Sequence, residues 1–294
     1  MARVRLSLKT SPQGVAWETL RDTWALAGEM AVFDGLWMND HLTDMSASAG
    51  PSLEALTLAA TLVHLVPGKW VGHAVLSNTF RHPAVLAKAA TVMDHATGGH
   101  FILGLGAGWH AGEHAAFGLA LPPIGERIDR LESAVAVLQA LFSSAAATPP
   151  GVTRADPFYP LHDAMNLPAP RTPGGPPIYL GGQKRRGIAL AARAAAGWLQ
   201  PGTDAGDVPY FSEHRTLVLR AMEAIGRDPT GFAFAGQVHA GRSPTDRRQA
   251  LGFARGLVEA GATEVVLGMR AGDGPEGLRR LVRDVAEPLR DTTG

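Results

Sequence analysis

The sequence predicts an α/β fold, a (β/α)8 TIM barrel, from three observations: eight short runs of strand character, amphipathic runs between them, and nearly even spacing of strand starts. The strand runs are residues 4–8, 35–39, 70–77, 100–106, 177–182, 197–200, 232–240 and 263–269. Most starts recur about every 30–35 residues, and such barrels commonly span about 250 residues. A chain of 294 residues therefore suits one barrel, a single domain over 1–294. An open Rossmann sheet divided by a linker is the alternative built from the same elements.

The helices between these strands carry readable ends. Pro83 suits a first turn ahead of the apolar stripe Leu86, Ala90 and Met93, and Gly98-Gly99 can stop that helix. Ile128, Leu131, Val135, Leu138 and Phe142 form a second stripe, Ser243-Pro244 reads as a cap followed by a first-turn proline, and Leu278, Leu281, Val282, Val285 and Leu289 mark a last amphipathic helix. One interval breaks the rhythm. Residues 144–176, rich in proline, glycine and alanine, read as an irregular insertion between the fourth and fifth strands, expected over the mouth of the barrel.

Composition narrows the function. Lys+Arg and Asp+Glu are both 27, and no basic run is interleaved with aromatics, so neither nucleic acid nor an anionic membrane is an expected partner. The expected partner is a small molecule. The absence of cysteine excludes thiolate metal sites, iron–sulfur clusters and a cysteine nucleophile. MARVRLSLKT lacks an apolar signal core and no later run is long enough to span a bilayer, so a cytoplasmic protein is expected.

Three short segments carry candidate chemistry. GLGAGWHAGEH, residues 104–114, contains His110, Glu113 and His114 at the H-x-x-E-H spacing of a zinc protease, but no long helix precedes it and no third ligand is evident, so no metal is expected. The same stretch is not a dinucleotide fingerprint, because Trp109 stands where the third glycine belongs. Gly106, Ala107 and Gly108 can still let a flat ring or a phosphate approach the end of a strand. In PIYLGGQKRRG the strand ends at Gly181-Gly182 and a helix follows at once, offering backbone N–H groups to an anion; Lys184, Arg185 and Arg186 then sit where the helix dipole disfavours cations unless an anion is bound. The alternative is a solvated basic run. In WMNDHL, Asp40 and His41 end the second strand, a place suited to proton transfer or to a structural turn. No G-x-S-x-G occurs to support serine catalysis.

Taken in order, WMNDHL, AVLSNTFRHPAVLAKAATVMDHATGGHFILGLGAGWHAGEHAAFGL, PPIGERIDRLESAV and PPIYLGGQKRRGIALAARAAAGW resemble the bacterial luciferase-like family of flavin and deazaflavin oxidoreductases. The resemblance covers nearly the first two thirds of the chain; the last strands fit by pattern. It implies a tricyclic ring at the barrel mouth, supported by a backbone bulge, often with a non-proline cis peptide, at Ala74-Val75. It further implies a cofactor site of Asp40, Ala74, Val75, Gly106, Ala107, Gly108, Gly181, Gly182, Gln183, Lys184, Arg185 and Gln200, and a homodimer.

Luciferase has an arginine for the FMN phosphate at the position matching Ala107, whereas deazaflavin relatives use the glycine pair and nearby backbone, with Lys184 to Arg186 placed for a polyglutamate tail. The resemblance therefore favours the deazaflavin coenzyme (F-420) and hydride transfer. An FMN-dependent monooxygenase and a non-catalytic flavin-binding protein are the alternatives. Sugar-phosphate dehydrogenases of the deazaflavin group have a glutamate acid where this chain has Trp109, which directs expectation to an apolar or aromatic substrate. His41 is then the expected proton donor or acceptor, and Asp40 a hydrogen-bond partner. A side chain in place of Gly182 is expected to block the coenzyme.

Overall fold

A computed structural model describes residues 3–45 and 50–293. The described residues form eleven strands: β1 (Arg5–Thr10), β2 (Gly35–Met38), β3 (Trp70–His73), β4 (Leu76–Ser77), β5 (Phe101–Gly106), β6 (Val152–Arg154), β7 (Leu161–Ala164), β8 (Ile178–Leu180), β9 (Gly197–Leu199), β10 (Ala233–His239) and β11 (Glu264–Gly268). The parallel order β3-β2-β1-β11-β10-β9-β8-β5 is closed by β3–β5 pairing, with Val71 opposite Phe101 and Gly72 opposite Ile102. A closed ring of eight parallel strands is a TIM barrel and excludes the open Rossmann sheet. All eight strand runs read from the sequence are present, the third being split into β3 and β4 by a bulge.

The helices are α1 (Trp17–Glu29), α2 (Ala55–Leu62), α3 (Pro83–Ala96), α4 (Ala111–Ala116), α5 (Ile124–Phe142), α6 (Arg185–Ala194), α7 (Val208–Glu223), α8 (Pro244–Glu259), α9 (Gly274–Leu281) and α10 (Glu287–Thr293). Their ends follow the local chemistry. The His82 side chain caps α3 by accepting from Ala84 N–H, and Ser243 and Asp246 form a reciprocal capping box on α8. A π-helical turn, Val282–Ala286, links α9 to α10 and keeps Leu278, Leu281, Val282, Val285 and Leu289 on one buried face.

Two apolar layers result from the alternation along the strands. Leu6 and Leu8 face the helices, while Trp37, Ile102, Tyr179, Leu199, Ala235 and Val266 fill the lumen. The lumen also holds a polar knot: Glu264, fully buried, accepts from Ser7 Oγ at 2.7 Å and Trp37 Nε1 at 2.8 Å and pairs with Arg5 at 2.9 Å.

The insertion differs from expectation. It contains a 3-10 turn (Ser144–Ala147) and the antiparallel β6–β7 hairpin, and it joins the end of α5 to the start of β8. That connection starts from the N-terminal end of the barrel, the face opposite the mouth. Asn166 Nδ2 donates to Thr91 Oγ1 at 3.0 Å, Thr172 N–H donates to Asp94 at 2.7 Å, and His95 meets the Ala169 carbonyl at 2.9 Å, so the segment packs along the outside of α3.

Candidate active site

The site assembles at the C-terminal ends of β2 to β5. Asp40 follows β2 and is buried; its carboxylate accepts from Ser77 N–H at 2.8 Å and is gripped by both terminal nitrogens of Arg81, at 2.7 and 2.9 Å. Arg81 also bonds Glu54. Asp40 is therefore a tie between β2 and the bulge of the third strand. The sequence marks Asp40 as a hydrogen-bond partner near the ring; here its oxygens accept from Ser77 N–H and Arg81.

The peptide Ala74-Val75 in that bulge is cis. Ala74 N–H donates to the Met38 carbonyl at 2.8 Å, and Asn78 N–H to the Gly106 carbonyl at 2.9 Å. The alternating glycines of β5 serve this segment. A Cβ on Gly104 would strike the His73 carbonyl, one on Gly106 would lie 2.6 Å from Val75 Cγ2, and one on Gly108, at φ +79°, would lie 2.8 Å from Ser77 Oγ. Gly104, Gly106 and Gly108 thus make room for the bulge, with Ala107 between the last two.

His41 and Glu113 form a pair the sequence reading did not anticipate. Glu113, at the start of α4, is 1% exposed and accepts from the backbone N–H of Leu42 and, at 3.0 Å, of Thr43 through one oxygen. Its other oxygen meets His41 Nδ1 at 3.1 Å. An Nδ1–H donated to the carboxylate leaves Nε2, which makes no hydrogen bond to the described residues, for a substrate. Trp109 stands edge-on to the His41 ring, centroids 5.8 Å apart, and is largely exposed.

The side chains of the H-x-x-E-H run are turned to other partners. His114 Nδ1 donates to the His110 carbonyl at 2.7 Å, its Nε2 meets Thr79 Oγ1 at 2.7 Å, and Glu113 is spent on the 41–43 loop. Among the described residues no three His, Cys, Asp or Glu side chains converge on a metal position.

Across the mouth, β8 runs into Gly181 and Gly182. Gly182 carbonyl accepts from Trp198 Nε1 at 2.8 Å, and a Cβ on Gly182 would collide with Gly187 of α6. Its lack of a side chain serves strand–helix packing. Gly181 is the open member of the pair, with only the Leu199 carbonyl at 3.6 Å. Lys184 caps α6 without a side-chain hydrogen bond, so first-turn N–H groups are available.

Gln183, Lys184 and Arg185 are exposed around this turn, while Arg186 is drawn away to Asp129 at 2.5 Å and Glu132 at 3.1 Å. Gln200, also expected to touch a cofactor, is fully buried: its Nε2 donates to the carbonyls of Asp204 at 2.7 Å and Asp207 at 3.0 Å, and its Oε1 accepts from Gln237 N–H at 3.0 Å. It holds the loop after β9 instead.

Lys9, Gln237 and His239 complete the rim and were missed. The alternation Arg5, Ser7, Lys9 looks like a solvated strand face, but in a closed barrel that face is the lumen. Burial pulls the Lys9 ammonium down to about 8. A groove of about 750 Å3 between the insertion, α5 and α6 lies outside the barrel, lined by Glu132, Gln139, Arg154, Phe158 and Arg193.

A family model described as luciferase-like monooxygenase matches residues 3–278. The F420-dependent glucose-6-phosphate dehydrogenase of Kineococcus radiotolerans is 30% identical over 76% of this chain and 64% of the relative; that of Microbacterium testaceum is 29% identical over 73% and 60%. An F420-dependent hydroxymycolic acid dehydrogenase of Mycobacterium tuberculosis is 28% identical over 70% of this chain and 54% of the relative. The chain thus spans less than two thirds of the length of these curated relatives.

Among solved structures, an F420-dependent secondary alcohol dehydrogenase in complex with an F420-acetone adduct superposes with TM-score 0.77 at 16% identity, covering 96% of this chain and 99% of that one. Monooxygenase RslO1 from Streptomyces bottropensis gives 0.76 at 17% identity, covering 98% and 100%. At these identities the likeness speaks to the fold.

Proposed function

Because the chain belongs to the luciferase-like monooxygenase family, we propose that it is an oxidoreductase that binds a deazaflavin coenzyme at the barrel mouth and exchanges a hydride with a small organic substrate carrying an apolar or aromatic part. The observation that carries this reading is the bulge at cis Ala74-Val75, buttressed by Asp40–Arg81 on one side and by the glycines of β5 on the other. Such a ledge suits a flat ring. The residues fit the rest of the coenzyme as well: Gly181 and the uncapped first turn of α6 would take a phosphate, with Lys184 and Arg185 beside it. Ala107 supplies no cation for the FMN phosphate.

When bound, the coenzyme supplies a carbon-centred hydride donor or acceptor with essentially no oxygen chemistry. His41 Nε2 takes or gives the proton at the substrate oxygen, and Glu113 fixes the tautomer and the ring direction that make this possible. Trp109, largely exposed beside the His41 ring, offers an apolar surface to the apolar part of a substrate. The reading also takes the protein to be a cytoplasmic homodimer. Its test is turnover of reduced and oxidised coenzyme with a panel of ketones, aldehydes and alcohols, with and without air. Coenzyme-dependent turnover at equal rates in both atmospheres supports hydride transfer; turnover only with reduced FMN and oxygen refutes it.

A further inference from the structure

The lumen contains one buried cation that the proposed chemistry leaves unused. Lys9, 8% exposed, is the next-to-last residue of β1 and points into the barrel on the same side as Arg5 and Ser7. Those two residues are both satisfied by Glu264. Lys9 has no such partner: among the described residues its ammonium donates to Gln237 Oε1 alone, at 2.5 Å, and no carboxylate forms an ion pair with it.

The groups around it are arranged and uncharged. Gln237 Nε2 donates to the Gln200 carbonyl, so its oxygen is the atom left to face Lys9, and Gln200 is itself fixed by the Asp204 and Asp207 carbonyls. Gly202 adds no bulk above the ammonium; a Cβ there would be 3.4 Å from Nζ. Partial burial and the adjacent Lys9 charge both push His239, at the rim, toward its neutral form. A buried ammonium with one neutral acceptor and two spare N–H bonds is stabilised when an anion arrives.

Position decides whose anion this is. In the ring order β1-β2-β3-β5-β8-β9-β10-β11, β1 lies directly across the barrel from β8. The coenzyme phosphate of the proposed reading belongs at Gly181 and α6, on the β8 side. We propose that Lys9, oriented by Gln237, is the specificity-determining residue of an oxyanion subsite that binds a carboxylate of the substrate, opposite the coenzyme tail. The substrate class is then an amphipathic acid, its apolar part at Trp109 and its carboxylate at Lys9. This rests on the proposed function for the identity of the site, and the test separates the two.

The full chain is titrated calorimetrically with benzoate, benzamide and inorganic phosphate, both alone and with deazaflavin coenzyme at saturation, coenzyme occupancy being followed by its own fluorescence. Benzoate is expected to bind at least about tenfold more tightly than benzamide, since a hydrogen bond to a charged group is at stake. Lys9→Met, with Lys9→Gln as a second neutral variant, is expected to lose that preference while coenzyme affinity stays within about threefold of the parent.

Equal affinity for benzoate and benzamide in the parent chain, or undiminished benzoate binding in both variants, overturns the subsite. Phosphate that displaces the coenzyme and not benzoate also overturns it, by assigning the charge to the coenzyme. Failure of the coenzyme to bind at all contradicts the proposed function, and the benzoate titration of the coenzyme-free chain still decides on Lys9.

Discussion

Single side chains at the mouth divide into those that touch the chemistry and those that hold something else in place. In the proposed reading His41 belongs to the first group and Glu113 to the second. Replacing Glu113 by Gln keeps one acceptor, the amide carbonyl, on the Leu42 and Thr43 N–H groups and turns the amide NH2 toward His41 Nδ1, which then accepts and carries the opposite tautomer. The expected result is a fall in kcat of about tenfold to a hundredfold with coenzyme Kd within about threefold, as for a lost proton-transfer arrangement; unchanged kcat removes the pair from the mechanism. Gly181→Val is the matching test of coenzyme binding. It should weaken coenzyme affinity by about tenfold or more without lowering Tm, because the position meets only the Leu199 carbonyl at 3.6 Å, whereas Gly182→Val is expected to unseat α6. Coenzyme affinity unmoved by Gly181→Val places the tail elsewhere. The cis peptide at Ala74-Val75 and the strand-to-helix turn at Gly181-Gly182 were legible in the sequence. Glu113 was not, since H-x-x-E-H has the same letters whether the glutamate faces a metal or folds under the 41–43 loop, and only the loop's position decides.

At the scale of elements, the split third strand organises the site. Asp40 and Arg81 clamp it from β2, and Gly104 and Gly106 leave room for it beside β5. Arg81→Met leaves the Asp40 carboxylate buried with only Ser77 N–H as partner, and removal of one member of a buried pair costs about 3–5 kcal/mol. Denaturant unfolding measures this directly, and a loss below about 1 kcal/mol contradicts the clamp. The eight barrel strands were readable because their burial pattern is local. The course of residues 144–176 was not, because it is fixed by contacts far away in the chain, such as Asn166 with Thr91 and Thr172 with Asp94. Composition alone marked the segment as a long loop and could not tell which face of the barrel it covers.

At the scale of the whole molecule, the chain has equal numbers of acidic and basic residues, so its pH response comes from particular buried groups. Burial lowers His73 from 6.5 to about 4, and the folded protein keeps it neutral, with Nε2–H toward the Ala55 carbonyl at 3.3 Å. Between those values the unfolded chain binds a proton that the folded chain does not, so stability falls as pH drops from about 6.5 to 4, by roughly 3 kcal/mol at most. Lys9 acts at the other end: its lowered value means that stability rises as pH increases from about 8 toward 10.5. Unfolding midpoints compared at pH 7 and 5 should show the acid loss, and His73→Leu should flatten it; a variant as acid-sensitive as the parent assigns the effect to other groups.

Equilibrium fluorescence titration of the purified chain with oxidised deazaflavin coenzyme, oxidised FMN and reduced FMN decides which ring the barrel mouth takes. Saturable, one-to-one binding of the deazaflavin is expected, with at least about tenfold weaker binding of either form of FMN. Tight FMN binding with none of the deazaflavin contradicts it.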